Sequence, residues 1–298
     1  MELRAVFGEW INSRYSIPQQ QAFTVSTPRF QNKLALITGA GSGIGRATAL
    51  AFGKLGARLI LCDLKPAGLK ETVKLLDNKD AVVSLETVDV SDWAAMQKLA
   101  ERVHKQHGTL DVLVNNAGVA TAGDFLSTPI EDWNWVMGIN LMGVVHGCKA
   151  FGARMAEQGG GHIVNVASAA GFYAAPDMSA YSASKHAVMG LSESLRLEMA
   201  RSNVGVSAIC PGVINTNIVA ASRMHGQTAK AQDKLVNIYK KRNYGPEHVA
   251  DAIVGAVVHN RGVVPVSPEA WALYAGKRLM PGVMDSMQRT KWFRKMMP

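Results

Sequence analysis

Cysteine is scarce in this 298-residue chain: Cys62, Cys148 and Cys210 stand far apart, in apolar stretches such as Leu59-Ile60-Leu61-Cys62. They show neither a disulfide framework nor a metal-ligand spacing, and a reducing, cytoplasmic setting fits them best. The eight histidines add neither metal-ligand spacing nor a catalytic triad, so no metal is expected. Long hydrophobic runs are also missing. No segment approaches the roughly 18 to 20 apolar residues that cross a bilayer, and Glu2, Arg4 and Glu9 interrupt the first stretch, so neither a spanning helix nor a secretion signal is expected. Acidic residues are the minority, 23 against 32 basic, yet the net charge of +9 is not spread evenly. Ser222 to Gly245 holds six basic residues against Asp233, and Ser267 to Pro298 six against Glu269 and Asp285; together they account for all of it. No nucleic-acid module accompanies these basic stretches, so no nucleic-acid partner is expected.

What is present is 48% apolar composition, enough for a sizeable core. Residues 1–32 show no sustained period and read as an N-terminal arm. From Lys33 the pattern becomes an apolar strand at Leu34 to Ile37, a glycine turn, a helix from Arg46 to Leu55 and a second strand from Arg58 to Cys62, which is a βαβ unit. Apolar runs recur at 81–85, 110–114, 162–166, 204–209 and 262–266, with amphipathic stretches between most of them. Seven strands alternating with helices predict an α/β fold, a doubly wound parallel sheet with helices on both faces, as one domain over residues 33–266.

Gly39-Ala40-Gly41-Ser42-Gly43-Ile44-Gly45 joins the first strand to its helix. Glycines there permit a tight turn and let backbone amides approach a pyrophosphate at a helix N-terminus. Asp63 follows eighteen residues after Gly45, at the end of the second strand, as in a Rossmann dinucleotide fingerprint. Its carboxylate accepts from an adenosine ribose and repels a 2′-phosphate, favouring NAD over NADP, although Lys65 and Arg46 are near in sequence.

Tyr181-Ser182-Ala183-Ser184-Lys185 places a phenol and an ammonium four apart, on one helix face, with Ser168 thirteen residues upstream. An ammonium beside a phenol stabilises the phenolate and is expected to lower its pKa from about 10. Tyr181 is therefore the candidate general acid/base. Ser168 reads equally as a turn cap, and Asn140 as a side chain that satisfies backbone groups at a helix bend.

The order of Thr38-Gly-x-x-x-Gly-x-Gly45, Asn115-Asn116-Ala117-Gly118, Asn140, Ser168, Tyr181-x-x-x-Lys185 and Pro211-Gly212-x-x-x-Thr216 resembles the single-domain short-chain dehydrogenase/reductase family over residues 33–266. The resemblance implies hydride transfer between a nicotinamide cofactor and a secondary alcohol, carbonyl or aldehyde. It implies that Tyr181 passes the proton, Ser168 holds the reacting oxygen, Lys185 tunes Tyr181 and binds the nicotinamide ribose, and Asn140 holds a relay water. It further implies that Asp89 and Val90 contact the adenine, that Asn116, Ala117 and Gly118 wall the cofactor, and that Pro211, Gly212, Ile214 and Thr216 hold the nicotinamide. A homodimer or homotetramer is expected. A non-catalytic dinucleotide sensor or scaffold on the same fold is the alternative.

The substrate end falls in a lid, about residues 217–245, where Ala231, Leu235, Ile238 and Tyr239 form an apolar helical stripe beside lysines. The stripe suits a cover over a hydrophobic substrate or plain packing. Residues 267–298 form a basic extension rich in methionine, with the aromatics Trp271, Tyr274, Trp292 and Phe293. It suits an anionic membrane surface, a lipid-like substrate, a helix packed on the sheet or a partner subunit. Residues 265–274 and 209–217 are similar to the reductase half of bacterial epoxide-hydrolase/dehydrogenase fusions and to reductases of lipophilic aldehydes, retinoids and steroids.

Overall fold

The apolar runs become strands because nearly every side chain in them is buried, those of one strand alternating between two faces. A computed structural model describes residues 30–288. In it Leu34–Thr38 (β1), Arg58–Asp63 (β2), Val82–Thr87 (β3), Val112–Asn115 (β4), Gly161–Val166 (β6), Val204–Pro211 (β7) and Val263–Val266 (β9) form one parallel sheet in the order β3-β2-β1-β4-β6-β7-β9. Thr121–Ala122 (β5) and Arg223–Met224 (β8) pair separately, also in parallel. The sequence reading missed this second pairing, because two-residue strands carry no period.

The helices are Gly43–Lys54 (α1), Pro66–Leu75 (α2), Trp93–Gln106 (α3), Ile130–Met137 (α4), Gly143–Gln158 (α5), Ser179–Met199 (α6), Gly226–Arg242 (α7), Glu247–His259 (α8), Pro268–Leu279 (α9) and Pro281–Gln288 (α10). Leu36, Ile60 and Leu113 pack with Met96 and Leu99 of α3, Phe151 of α5 and Val188 of α6 on one face. Ile37, Leu59 and Leu61 pack with Phe52 of α1, Leu69 of α2 and Val249 and Ile253 of α8 on the other. Phe52 and Phe151 are wholly buried; each contributes about 1.5–3 kcal/mol of transfer free energy. Two separate cores on one sheet make the architecture doubly wound.

Strand order reverses between β1 and β4, and a crevice opens at the C-terminal ends of strands where that happens. The glycine turn after β1 and Asn116-Ala117-Gly118 after β4 both lie there. Helix α1 starts at Gly43, three residues earlier than the expected Arg46, because the turn closes directly into the first helical residues. Between α4 and α5 the chain passes through a π-helical turn, Gly138–Met142, with Asn140 fully buried inside it.

The extension is a packed helix as far as the description reaches. Tyr274 of α9 stacks edge-on against Phe172 at 5.2 Å, and Met284 of α10 is buried. Trp292, Phe293, Met296 and Met297, and the arm at residues 1–29, lie outside the described residues. No described helix is long and apolar enough to cross a membrane.

Candidate active site

Gly39 and Gly43 take φ of +66° and +50°, the left-handed region that favours glycine. At Gly45 a Cβ would stand 2.1 Å from the Gly39 carbonyl oxygen, so only glycine lets α1 start this close to the turn. The Ser42 side chain does not cap α1, which leaves the first-turn amides to an outside acceptor. Asn116 fastens the turn from the far side: its Nδ2 donates to the Thr38 carbonyl at 2.8 Å, and Thr38 Oγ1 accepts from the amides of Asn116 and Ala117 at 3.0 Å each. Asp63 accepts from the Gly41 amide and the Lys65 amide, both at 2.9 Å. Arg46, which is close in sequence, points elsewhere. Its guanidinium donates to the Gly41 and Gly68 carbonyls and to Thr72 Oγ1. A cradle of glycine amides with a carboxylate at its outer end fits the phosphates and ribose of a dinucleotide.

Further along the crevice, Asp89 folds back to accept from the amide and hydroxyl of Ser91, and the Val90 carbonyl meets His146 Nδ1 at 2.8 Å. The strand-end loop Pro211 to Thr216 is anchored by the Gly212 amide on the Val266 carbonyl at 3.0 Å and by the Asn215 amide on the Tyr244 carbonyl at 2.8 Å. Thr216 faces Gly43, which brings this loop against the glycine turn.

Ser168, Tyr181 and Lys185 converge beneath that loop. Ser168 follows β6 and accepts from the Ala170 amide at 3.1 Å, so it caps its turn, and it lies near enough to the Tyr181 phenol to favour its ionisation. Lys185 is buried, donates to the Val166 carbonyl at 2.9 Å and has its Nζ 5.8 Å from the Tyr181 ring centre.

One expectation changes here. Burial pushes the Tyr181 phenol up to about 12, with Ser168 pulling back and Tyr239 adding to the rise. Burial brings the Lys185 ammonium down to about 8. In the protein alone, then, the phenol is raised and not lowered, because desolvation of the phenolate is the largest influence and Lys185 is not among the groups that shift it. The Asn140 side chain satisfies backbone groups at a helix irregularity, the plainer of its two readings. Its Nδ2 donates to the Val119 carbonyl at 2.9 Å and to Ser184 Oγ at 3.1 Å, while its Oδ1 accepts from the Val119 amide at 2.8 Å. Both amide protons are committed, so the side chain positions the loop after Gly118 against α6.

A buried polar chain supports this floor. Asn115 Nδ2 donates to Asn165 Oδ1 at 2.9 Å, Asn165 Nδ2 to Ser192 Oγ at 3.0 Å, and Ser192 Oγ to the Val188 carbonyl at 2.6 Å. The three cysteines are buried, and burial raises the thiol of each. No group of three metal-ligating side chains exists among the described residues.

The sequence reading missed the polar contacts that hold residues 217–245, the segment expected to act as a lid. Asp132 of α4, buried, accepts from Arg223 at 2.7 Å and pairs with His225 Nε2 at 2.6 Å, and Arg223 stacks over Trp135 at 3.9 Å. Glu269 of α9 accepts from the Val213 amide at 3.0 Å and pairs with Arg242. Nothing in the spacing could reveal them, since 91 residues separate Asp132 from Arg223.

Comparison with known proteins agrees with this geometry. Residues 33–226 match the family model described as short chain dehydrogenase. The "Probable oxidoreductase EphD" of Mycobacterium tuberculosis is 44% identical over 276 residues, covering 90% of this chain and 47% of that protein; the chain spans about half its length. The "Putative oxidoreductase SadH" of the same organism is 37% identical over 255 residues, with 84% and 92% covered. A short-chain dehydrogenase/reductase from Burkholderia phymatum, solved in complex with NAD, superposes with a TM-score of 0.78 at 34% identity, covering 88% of this chain and 96% of its own. With its parallel sheet, glycine turn and Ser168-Tyr181-Lys185 floor, the chain belongs to the short-chain dehydrogenase/reductase family of NAD(P)-dependent oxidoreductases.

Proposed function

We propose that this protein interconverts a hydrophobic secondary alcohol and its carbonyl compound, or reduces an aldehyde, with Tyr181 as the general acid/base. The convergence of Ser168, Tyr181 and Lys185 under the Pro211 to Thr216 loop carries the reading. The nicotinamide, when bound, supplies or accepts the hydride. Ser168 holds the substrate oxygen by a hydrogen bond that strengthens as negative charge develops there. Tyr181 gives its proton to that oxygen or takes it back. A buried phenol resting at about 12 is a competent donor to a developing alkoxide. Lys185, held on the Val166 carbonyl, lies beneath the site and counters phenolate charge when the proton leaves. The hydrophobic substrate follows from α7, which presents half-buried Ala231, Leu235, Ile238 and Tyr239 inward and exposes Lys230, Lys234 and Lys240.

NAD is preferred over NADP. Asp63 offers a carboxylate where a 2′-phosphate would sit, and Arg46 is already committed to backbone carbonyls. Residues 33–266 act as one catalytic domain with residues 217–245 as its lid, and the protein assembles as a homodimer or homotetramer. The test is a panel of alcohols from short-chain to long-chain and polycyclic, run with both cofactors. Turnover rising with apolar bulk and NAD is expected; a strong preference for small polar substrates overturns the substrate assignment, and absence of any turnover overturns the enzymatic one.

A further inference from the structure

Just after β9 the backbone takes a costly step. Ser267 is buried and has φ of +100°, outside the range most side chains accept, and it turns the chain so that Pro268 and Glu269 begin α9. The turn aims Glu269 at two elements at once. Its Oε1 accepts from the Val213 amide at 3.0 Å, in the loop that follows β7. Its Oε2 pairs with Arg242, the last residue of α7. Gly212 makes room for this: a Cβ there would stand 2.4 Å from Oε1. Burial raises the Glu269 pKa, but the Val213 amide, the Ser267 side chain and Arg242 together hold its carboxyl below the usual range, so it is charged at neutral pH.

Arg242 is three residues after Tyr239 and shares its helix face. Tyr239 is close enough to Tyr181 to disfavour its ionisation, and Tyr239 itself feels both Arg242 and Glu269. Contacts thus join α9 to the loop after β7 and to the end of the lid helix, and the charges of that pair are felt at Tyr239, which in turn is felt at the phenol of the active site. A helix packed only for stability has no need of two polar arms reaching two different functional parts.

We propose that Glu269 is a positioning residue for the substrate side of the site: one carboxylate oxygen fixes the loop that closes over the cofactor, and the other sets the rear end of the lid helix through Arg242. The inference rests on the reading of α7 as a substrate lid and of Pro211 to Thr216 as the cofactor loop. It assigns the C-terminal segment a part in substrate specificity.

The two arms can be cut separately. Glu269→Gln keeps an acceptor for Val213 and loses the charge facing Arg242, as Arg242→Ala does from the other side. Both should raise the KM of the best apolar alcohol by about five- to tenfold, with the KM of NAD within about twofold of wild type. Glu269→Ala should raise both. The double variant Glu269→Gln/Arg242→Ala should be no worse than either single, because the two remove one interaction. Amide hydrogen exchange across residues 226–242, measured with no ligand, should quicken in Glu269→Gln and Arg242→Ala. That readout, with NADH affinity by fluorescence, tests the latch even if wild-type protein turns over none of the alcohols, an outcome that defeats the functional reading alone. Unchanged exchange in α7, or equal increases of both KM values in Glu269→Gln, overturns the proposal, as does a fall in melting temperature with neither KM altered. If Glu269→Ala does not fold, Glu269→Gln and Arg242→Ala carry the test.

Discussion

The floor of the active site and the segment proposed as its lid are built on opposite principles. On α6, Tyr181, Ser184 and Lys185 are all buried, and hydrogen bonds to Asn140 and Val166 hold Ser184 and Lys185 in place. On α7, seventeen residues long, none is fully buried. The lid is held instead at its two ends, by Asp132 on Arg223 and His225 before the helix and by Glu269 on Arg242 at its close. The difference separates two tasks. Proton transfer needs groups fixed within tenths of an ångström, whereas admission of a bulky substrate needs an element whose opening costs little.

The hardest break falls on the floor. Tyr181→Phe removes the transferable proton and keeps the ring, so kcat should fall by about 10²–10⁴ while NADH affinity stays near wild type. Near-normal turnover would show that another group passes the proton. Single-turnover absorbance of NADH reads both quantities on one sample.

Acid should weaken the sheet under the floor. His162 of β6 is buried; Ser207 Oγ donates to the Arg261 carbonyl, so it accepts from His162 Nε2, which fixes the neutral tautomer. Burial and then the charge of Arg196 bring its pKa down to about 4. Between the unfolded value of about 6.5 and 4 the unfolded chain binds the extra proton, so stability declines as pH falls through that window and levels off below it. The loss is about 3 kcal/mol, read as a drop in urea midpoint that His162→Gln should flatten. An identical pH slope in the variant would assign the loss to other groups.

Asp63→Asn sharpens the comparison at the cofactor end. It keeps an acceptor for the Gly41 amide and removes the charge, so the ratio of kcat/KM for NAD over NADP should fall about tenfold or more. An unchanged ratio would mean that the turn geometry alone selects the cofactor.

The floor was legible in the sequence because its parts are tied to strand ends. Glycines at 39, 43 and 45, Asp63 at the end of β2 and Tyr181 four before Lys185 carry fixed spacings that local geometry imposes. The seven strands were legible because most are apolar and buried on both faces, the edge strand β3 being the exception, although their ends shifted by a residue or two. What stayed hidden depends on contacts between distant segments. The β5–β8 pairing joins residues 121–122 to 223–224, and Glu269 lies 56 residues from Val213. Electrostatic direction was hidden too. A lysine four residues from a tyrosine suggests a lowered pKa, but the burial that reverses it is a property of the packed helix.

The smallest effect is expected at the front of the lid, and the reason lies in which partner is buried. Asp132 is shielded while the Arg223 side chain is 48% exposed and stacked on Trp135, so Asp132→Asn removes the buried charge, keeps an acceptor for His225 and leaves the guanidinium largely in water. The cost should be about 1 kcal/mol or less, with the KM of an apolar alcohol raised no more than about fivefold and NAD affinity unaltered. Although burial alone would raise the Asp132 carboxyl, Arg223 and His225 hold it below the usual range. The clamp is therefore present at neutral pH and is lost only as pH falls through that depressed value, below the window in which His162 weakens the sheet. Amide exchange near residues 223–228 followed against pH separates the two. Lid opening that tracks the His162 window would mean that the lid has no independent front clamp and simply follows the sheet.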